Sequence, residues 1–410
     1  MTQRLYYHAP NVYEFDSVIM EVVGPSGEGA RVGVILRETA FYPTSGGQTH
    51  DTGWLTVDSG ERFRVAEVAE TEDGKIVHHL ESPSAHLVPG AAVHGIIDAD
   101  RRRDHMQQHT GQHVLSGAFV ELYRMPTVSF HMGDDYCSID LETPSLGPEQ
   151  LARAEKRANE IIFENRPVRI RFVSRAEADK LGLRKLPPAE HDELRLIEIA
   201  DFDLSACGGT HVSATGQIGS ILLRKTEKVR QGMRVEFVCG DRAVRTARKN
   251  YSMLSEAAAL FSAHIWDVPN QIRKSLDDGK LLRKQRDEAL EQLADAMARA
   301  AVNEQPETNG RKVIVRCFAD RDIGFAKLFA QKATRVGVAV IALVGSAIDP
   351  PGLVFAQSAG GAADMSALLK QVLVSVGGRG GGSRDFVQGG VPPGTDLEQL
   401  LRQAAGTIGA

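Results

Sequence analysis

The sequence predicts a multidomain α+β protein: an N-terminal β-barrel, an α+β domain, a helical spacer and a small C-terminal α/β domain. Three observations lead there. The chain has 410 residues, more than one ordinary domain holds, so two to four are expected. Its hydrophobic period changes along the sequence, from short runs to helical spacings and then to an alternation of both. Its composition, 42% hydrophobic and 25% charged, is that of a chain able to bury sizeable cores.

Residues 1–95 read as the barrel. SVIMEVVG (17–24), RVGVILRE (31–38), GWLTVD (53–58) and KIVHHLE (75–81) are short apolar segments separated by Gly, Ser, Asp or Pro. Residues 96–245 mix both periods. DHMQQHTGQHVLSGAFVELY (104–123) has helical spacing, with Met106, Leu115, Phe119 and Leu122 on the inner side and Asp104 as its expected cap. TPSLGPEQLARAEKRANEIIFEN (143–165) gives a second amphipathic helix, and VRIRFV, LRLIEI, IGSILLRK and RVEFVCG read as strands. Residues 246–305 read as a helical spacer. Leu290, Leu293, Met297 and Ala300 suit a coiled-coil seam, while Pro269 and Gly279 imply two helices or a bent pair. Residues 306–410 alternate strands (KVIVRCF, VAVIALVG, GLVFAQ) with helical stretches and contain GGRGGGSRDFVQGG, in which seven of fourteen residues are glycine.

Composition also excludes function classes. No run of about 18 apolar residues exists for a spanning helix, and the N-terminal MTQRLYYHAPNVYEFD lacks a signal-peptide pattern. Four scattered cysteines, Cys137, Cys207, Cys239 and Cys317, show no disulfide spacing, so a reducing cytoplasmic location is expected. The net charge of −5 argues against indiscriminate nucleic-acid binding. It conceals an asymmetry. Residues 1–95 carry 6 Lys/Arg against 13 Asp/Glu, whereas residues 222–249 carry 9 against 3. Such a basic stretch can hold a phosphate backbone or form a solvated face.

Two short motifs carry the chemistry. HTGQH places His109 and His113 four residues apart, on one face of a helix. CGGTH places Cys207 and His211 at the same spacing, but two adjacent glycines disfavour a helix there, so it reads as a turn. Imidazole nitrogen and thiolate sulfur are zinc donors, so the pairs imply one metal site built from two distant segments. Four protein ligands would close a structural site, whereas one histidine acting through water would open a catalytic one. Thr110, Gln112, Thr210 and His105 lie close by in sequence. His131, in VSFHMGDDYCSIDL, suits water positioning, substrate binding or a structural hydrogen bond. Another metallohydrolase type finds no support, because the chain has no HExxH.

HTGQHVLS followed by CGGTHV resembles the editing domain of alanyl-tRNA synthetases and of the free-standing AlaX proteins. FYPTSGGQTHDTG (41–53) resembles the segment those proteins carry in their barrel, and GGGSRDFVQGG the glycine-rich tract of the synthetase C-terminal domain. The order of the parts resembles long-form AlaX; with no aminoacylation domain ahead of residue 1, an editing factor is expected rather than a synthetase. The resemblance implies one Zn²⁺ per chain on His109, His113, Cys207 and His211, with Thr110 and His131 as catalytic candidates. His131 stands where synthetases commonly have glutamine. Gly46, Gly47 and Gln48 match the barrel's GGQ and, with Thr210, are the substrate-binding candidates; a turn packed on the editing domain would explain the tripeptide equally. Arg224, Lys225, Arg234, Arg379 and Arg384 are the tRNA-binding candidates.

The implied reaction is ATP-independent hydrolysis of the ester joining serine, or else glycine, to tRNA(Ala), with a homodimer formed through the spacer and C-terminal domain as a further expectation. A synthetic site for alanine rejects small analogues weakly, and a second, hydrolytic site corrects the error. Thr110, or a threonine or glutamine from the barrel side, is expected to read the serine hydroxyl. The competing expectation is a non-enzymatic tRNA-binding or synthetase-associated protein with a structural zinc.

Overall fold

The computed structural model describes residues 2–24, 31–82, 86–181, 183, 193–230 and 232–408, and it divides into two compact units, Met1–Glu256 and Ala257–Ala410. The first unit opens with β1 (Gln3–Arg4), a 3-10 turn, β2 (Glu14–Val23), β3 (Val32–Leu36), β4 (Glu38–Thr39), β5 (Gly53–Val57), β6 (Arg62–Glu70), β7 (Ile76–Leu80) and β8 (Ala92–Ile97). Six of these close into a barrel in the order β2-β3-β7-β6-β5-β8. Alternation fills it: Phe15 and Ile19 from β2, Leu55 and Val57 from β5, and Phe63, Val65 and Val68 from β6 point into one core. The β6 and β8 strands escape a reading by pattern. A register shift between Val65 and Glu67 breaks the two-residue period of β6. In β8, Gly95 leaves a gap that the Phe15 ring occupies.

The chain then runs through α1 (Ala99–Tyr123), β9 (Thr127–Met132), β10 (Cys137–Leu141), α2 (Pro148–Phe163), β11 (Val168–Ser174), α3 (Arg175–Ala178), β12 (Glu193–Ile199), β13 (Asp203–Ala206), β14 (Ile221–Val229), β15 (Gly232–Cys239) and α4 (Gly240–Leu260). Two antiparallel sheets result, β14-β15-β10-β9 and β11-β12-β13. Val114, Leu115, Ala118 and Phe119 of α1 share a core with Ile139 and Phe237 of the larger sheet and with Ala158 and Ile161 of α2. The α1 helix begins at Ala99, a turn earlier than expected. Asp104 therefore sits inside it and pairs with Arg242 at 2.6 Å instead of capping it.

The second unit holds α5 (Val268–Glu304), β16 (Lys312–Phe318), α6 (Ile323–Val336), β17 (Val340–Ser346), β18 (Gly352–Gln357), α7 (Met365–Val374), β19 (Arg379–Gly382), β20 (Phe386–Gly390) and α8 (Leu397–Thr407). Its sheet runs β16-β17-β18-β20-β19. One face is covered by α7 and α8 through Leu369, Leu373 and Leu401, the other by α5 and α6 through Ala298, Phe325 and Phe329. The spacer is two helices as expected, α4 ending at Leu260 and α5 starting at Val268, with Pro269 in the first turn of α5, where a missing N–H costs nothing. Two details change: Gly279 lies within an unbroken α5, and the seam is rotated. The buried stripe of α5 runs through Leu290, Ala294, Met297, Ala298 and Val302 toward α6, so Leu293 is turned outward.

The barrel loops are fixed to α1 by a fully buried ion pair. The Arg102 guanidinium meets the Asp51 carboxylate, with neither side chain exposed, and also donates to the carbonyls of Pro10 and Ala40. Asp51 in turn accepts the Tyr42 N–H at 2.7 Å. Replacing Arg102 with Met would strand that carboxylate. Denaturant unfolding should show a loss of about 3–5 kcal/mol, much of it recovered when Asp51 is also made apolar.

His78 sets an acid limit on the barrel. It is wholly buried, donates Nδ1–H to the Val34 carbonyl at 3.0 Å and accepts from the Thr39 hydroxyl at 2.8 Å. Burial lowers its pKa to about 4. A histidine depressed below its unfolded value of about 6.5 contributes stability above that pH and loses it as pH falls toward 4. Unfolding free energy measured from pH 7 to 4 should drop by about 3 kcal/mol more in the native chain than in His78→Gln.

Candidate metal centre

The α1 helix projects His109 and His113 from one face, and the turn after β13 brings Cys207 and His211 to the same point. The ligand atoms of all four lie within 4.8 Å of one another. Cys207 Sγ is 3.3 Å from both His109 Nε2 and His211 Nε2. A tetrahedral zinc site with bonds of about 2.0–2.3 Å requires donor separations of about 3.4–3.6 Å, so the two Cys207 contacts already fit and the wider pairs, within 4.8 Å, must draw in to hold such an ion.

What fixes these rings lies behind them. His109 Nδ1 meets Gln48 Oε1 at 2.7 Å, His113 Nδ1 meets Asp203 Oδ2 at 3.3 Å, and His211 Nδ1 meets the Thr110 hydroxyl at 3.2 Å. With Nδ1–H donating in each case, every Nε2 lone pair faces the centre, the arrangement metal-binding histidines adopt. Gln48 does more. Its Oε1 also accepts the Thr210 N–H at 3.1 Å, and its Nε2 donates to the Thr210 hydroxyl at 2.8 Å. A barrel residue thereby holds both halves of the cluster. Gly209 is required by space, because a Cβ there would collide with the His109 ring.

The electrostatics suit a cation. Burial opposes ionisation of Cys207, but the charges and hydrogen bonds of the facing imidazoles override it and hold the thiol well below its ordinary range. Burial pushes His211 down to about 3, despite attraction from Cys207. His113 is raised to about 9: burial works against the proton, and the bonds to Asp203 and Cys207 outweigh it. The Cys207 thiolate and the neutral His211 imidazole are thus ready donors, and an arriving metal ion displaces the proton on His113.

The other sequence candidates fall in several places. Thr110 is fully buried, and its hydroxyl is engaged by His211 and by the Val212 N–H, so it acts on the cluster through His211. Gln48 and Thr210 bond each other and the cluster in the same buried way. Gly46 and Gly47 form a left-handed turn with φ of 57° and 83°, and a Cβ on Gly47 would lie 2.6 Å from the Phe130 carbonyl oxygen. The GGQ segment is therefore a packed turn. His131 is not brought to the cluster. Phe130 contacts the His109 ring at 5.3 Å, and alternation along β9 turns His131 to the opposite, exposed face. There it lies 3.8 Å from Asp140 and lines a cavity of about 480 Å³ with Asp134, Asp135, Glu227, Arg234 and Glu236. Of the basic candidates, Arg234 is bound twice by Asp140, Lys225 pairs with Glu227, and Arg224 stacks on Tyr136. Arg379 and Arg384 are exposed in the second unit. Asp203 was not foreseen; its only signal is its place four residues ahead of Cys207.

Asp203→Asn and Gln48→Leu should each weaken zinc binding by about 10- to 100-fold, measured by competition with a chromophoric chelator.

Comparisons with known proteins agree with this geometry. Residues 11–101 match the family of class II (A) tRNA synthetases, and residues 194–235, which include Cys207 and His211, match the threonyl and alanyl tRNA synthetase second additional domain. The alanine–tRNA ligase of Pyrococcus furiosus is 34% identical over 303 residues, covering 72% of this chain and 32% of that enzyme. That of Archaeoglobus fulgidus is 30% identical over 410 residues, covering 98% of this chain and 43% of the enzyme. The solved C-Ala domain of Aquifex aeolicus alanyl-tRNA synthetase overlaps 26% of the chain and 99% of that domain, at 13% identity and a TM-score of 0.24, too low to carry an argument. The chain spans less than half the length of the curated relatives it matches. It is a homologue of one part of the alanine–tRNA ligases, the part that holds the second additional domain, and it has a His/Cys cluster fit for one metal ion.

Proposed function

We propose that this protein is a zinc-dependent aminoacyl-tRNA deacylase that clears serine, and secondarily glycine, from tRNA(Ala), acting in trans as long-form AlaX proteins do. One observation carries the reading: four donor atoms converge, with the three imidazoles locked from behind, in a chain similar along nearly its whole length to alanine–tRNA ligases.

The roles of the residues follow from their contacts. His109, His113, Cys207 and His211 would hold the zinc ion. When bound, it supplies Lewis-acid polarisation of the ester or acidifies a water molecule. Gln48, Asp203 and Thr110 keep the imidazoles aimed, so no reorganisation is required as charge develops. Cys207 is half-buried and Gly208 exposed, which leaves the turn side of the cluster as the approach for an ester. A polar group facing a serine hydroxyl would go unpaired with alanine, which favours the wrong product for hydrolysis. The Thr110 hydroxyl already serves His211 and Val212, so its contribution is to orient the cluster.

The test is release of amino acid from seryl-, glycyl- and alanyl-tRNA(Ala), with zinc quantified in the same sample. Serine should be released and alanine retained. Loss of a metal worth several kcal/mol in the transition state means that Cys207→Ala should lose zinc and at least about 100-fold in rate. A full rate without metal would refute the mechanism. Bound zinc and bound tRNA without hydrolysis would instead support the second reading, a tRNA-binding protein with a structural zinc.

A further inference from the structure

Beside the cluster lies a group of rings and guanidinium groups that the proposed chemistry does not use. Arg195 on β12 is the link. Its Nε donates to the Tyr7 carbonyl at 2.9 Å, and its NH1 donates to the Cys207 carbonyl at 2.6 Å. The Arg195 backbone carbonyl accepts the Cys207 N–H at 3.2 Å. The remaining nitrogen, NH2, is buried with no hydrogen-bond partner. Its guanidinium lies over the Tyr7 ring at 5.5 Å, and that of Arg4 lies 5.4 Å from the same ring. The Tyr7 hydroxyl accepts from Arg4 at 3.0 Å, and it sits 3.7 Å from where a Cβ on Gly208 would be. Tyr7 therefore stands at the edge of the metal-binding turn.

A second ring pair continues this surface. Phe172 on β11 is the cross-strand partner of Arg195, so both side chains leave the same face of the sheet. His8, the residue after Tyr7, is stacked on Phe172 with centroids 4.8 Å apart and planes at 28°. His8 is exposed, whereas Phe172 and Tyr7 are half-buried. Rings lying side by side with cationic groups are how proteins seat unpaired bases, which present a π-face whatever their sequence.

We propose that Tyr7, His8 and Phe172 form the seat for the last unpaired nucleotide of an RNA 3′ end, registered against the metal turn by Arg195. This rests on the deacylase reading for its substrate, and it adds where the base beyond the ester goes. Tyr7 borders Gly208, so a base seated beside it directs its ribose toward the approach to Cys207. Arg195 is a positioning residue: it joins the carbonyl under the seat to the carbonyl of the metal-binding cysteine.

The experiment uses the full, zinc-loaded chain and a 5′-fluorescein RNA pentanucleotide ending in CCA, alongside the same oligomer with an abasic 3′ ribose, read by fluorescence anisotropy. Stacking of one base supports a loss of roughly 5- to 150-fold when its ring is removed. His8→Ala and Phe172→Leu should weaken the intact oligomer by at least about tenfold, leave zinc content unchanged, and leave the abasic oligomer nearly unaffected, while Phe172→Trp retains binding. Because His8 is exposed, its substitution tests the seat even if Phe172→Leu fails to fold. Equal binding by wild type and His8→Ala, or equal losses for intact and abasic oligomers, would overturn the seat. Deacylation of seryl-tRNA that persists with ring-independent oligomer binding removes the seat and leaves the enzyme. Ring-dependent binding without deacylation removes the enzyme and leaves the seat.

Discussion

The site depends on hydrogen bonds that face away from its centre. Four donors of this kind, three histidines and a cysteine, can occupy many rotamers, and a free histidine exposes either ring nitrogen. Gln48, Asp203 and Thr110 remove that freedom by taking each Nδ1. The converging Nε2 atoms are the result, and the thiolate completes them. Ring tautomer, ring angle and charge are thus decided by residues that never contact an ion. The arrangement also balances charge. The Asp203 carboxylate offsets the proton on His113 in the metal-free cluster and part of the ionic charge when the cluster is filled.

Much of this was legible because the four donors sit in two local spacings. A helix turn puts His109 and His113 on one face, and a double glycine makes a turn between Cys207 and His211. The glycine at 209 could be explained only once the His109 ring was seen to occupy the space a Cβ would take. Roles that depend on long-range contact were not legible. Thr110 and Gln48 were expected to face substrate because they adjoin the ligands in sequence or lie in a recognisable tripeptide. Their partners are 101 and 61 residues away, and nothing local encodes those distances. His131 shows the opposite failure. It belongs to the right strand, but the two-residue alternation gives the inward place to Phe130.

The fold was read best where its periods were clean. The barrel strands with regular alternation and the α/β sheet of the second unit appeared where expected. Bulges and glycine hid β6 and β8, because each removes the alternating side chain that marks a strand. In α5 the seam was placed on heptad grounds alone. The surface it meets belongs to one antiparallel neighbour, α6, whose small residues Ala326, Ala330 and Ala333 accept Ala294 and Ala298, and this rotates the buried stripe. The basic stretch at 222–249 lost part of its apparent charge for a similar reason. Asp140 on β10 and Asp104 on α1 lie outside that segment and pair with Arg234 and Arg242, carboxylates that a count of one segment omits.

One side chain, Gln48, belongs to the barrel yet completes the surroundings of His109 and Thr210. The two regions cannot then be inherited as interchangeable parts. A lineage that exchanged its barrel for another without an amide at this position would leave His109 free to turn over, and the cluster would be lost through a change made outside it. Recombination is therefore constrained to carry residues 41–53 together with the helix and turn they serve, and the seam between barrel and cluster marks a unit of descent.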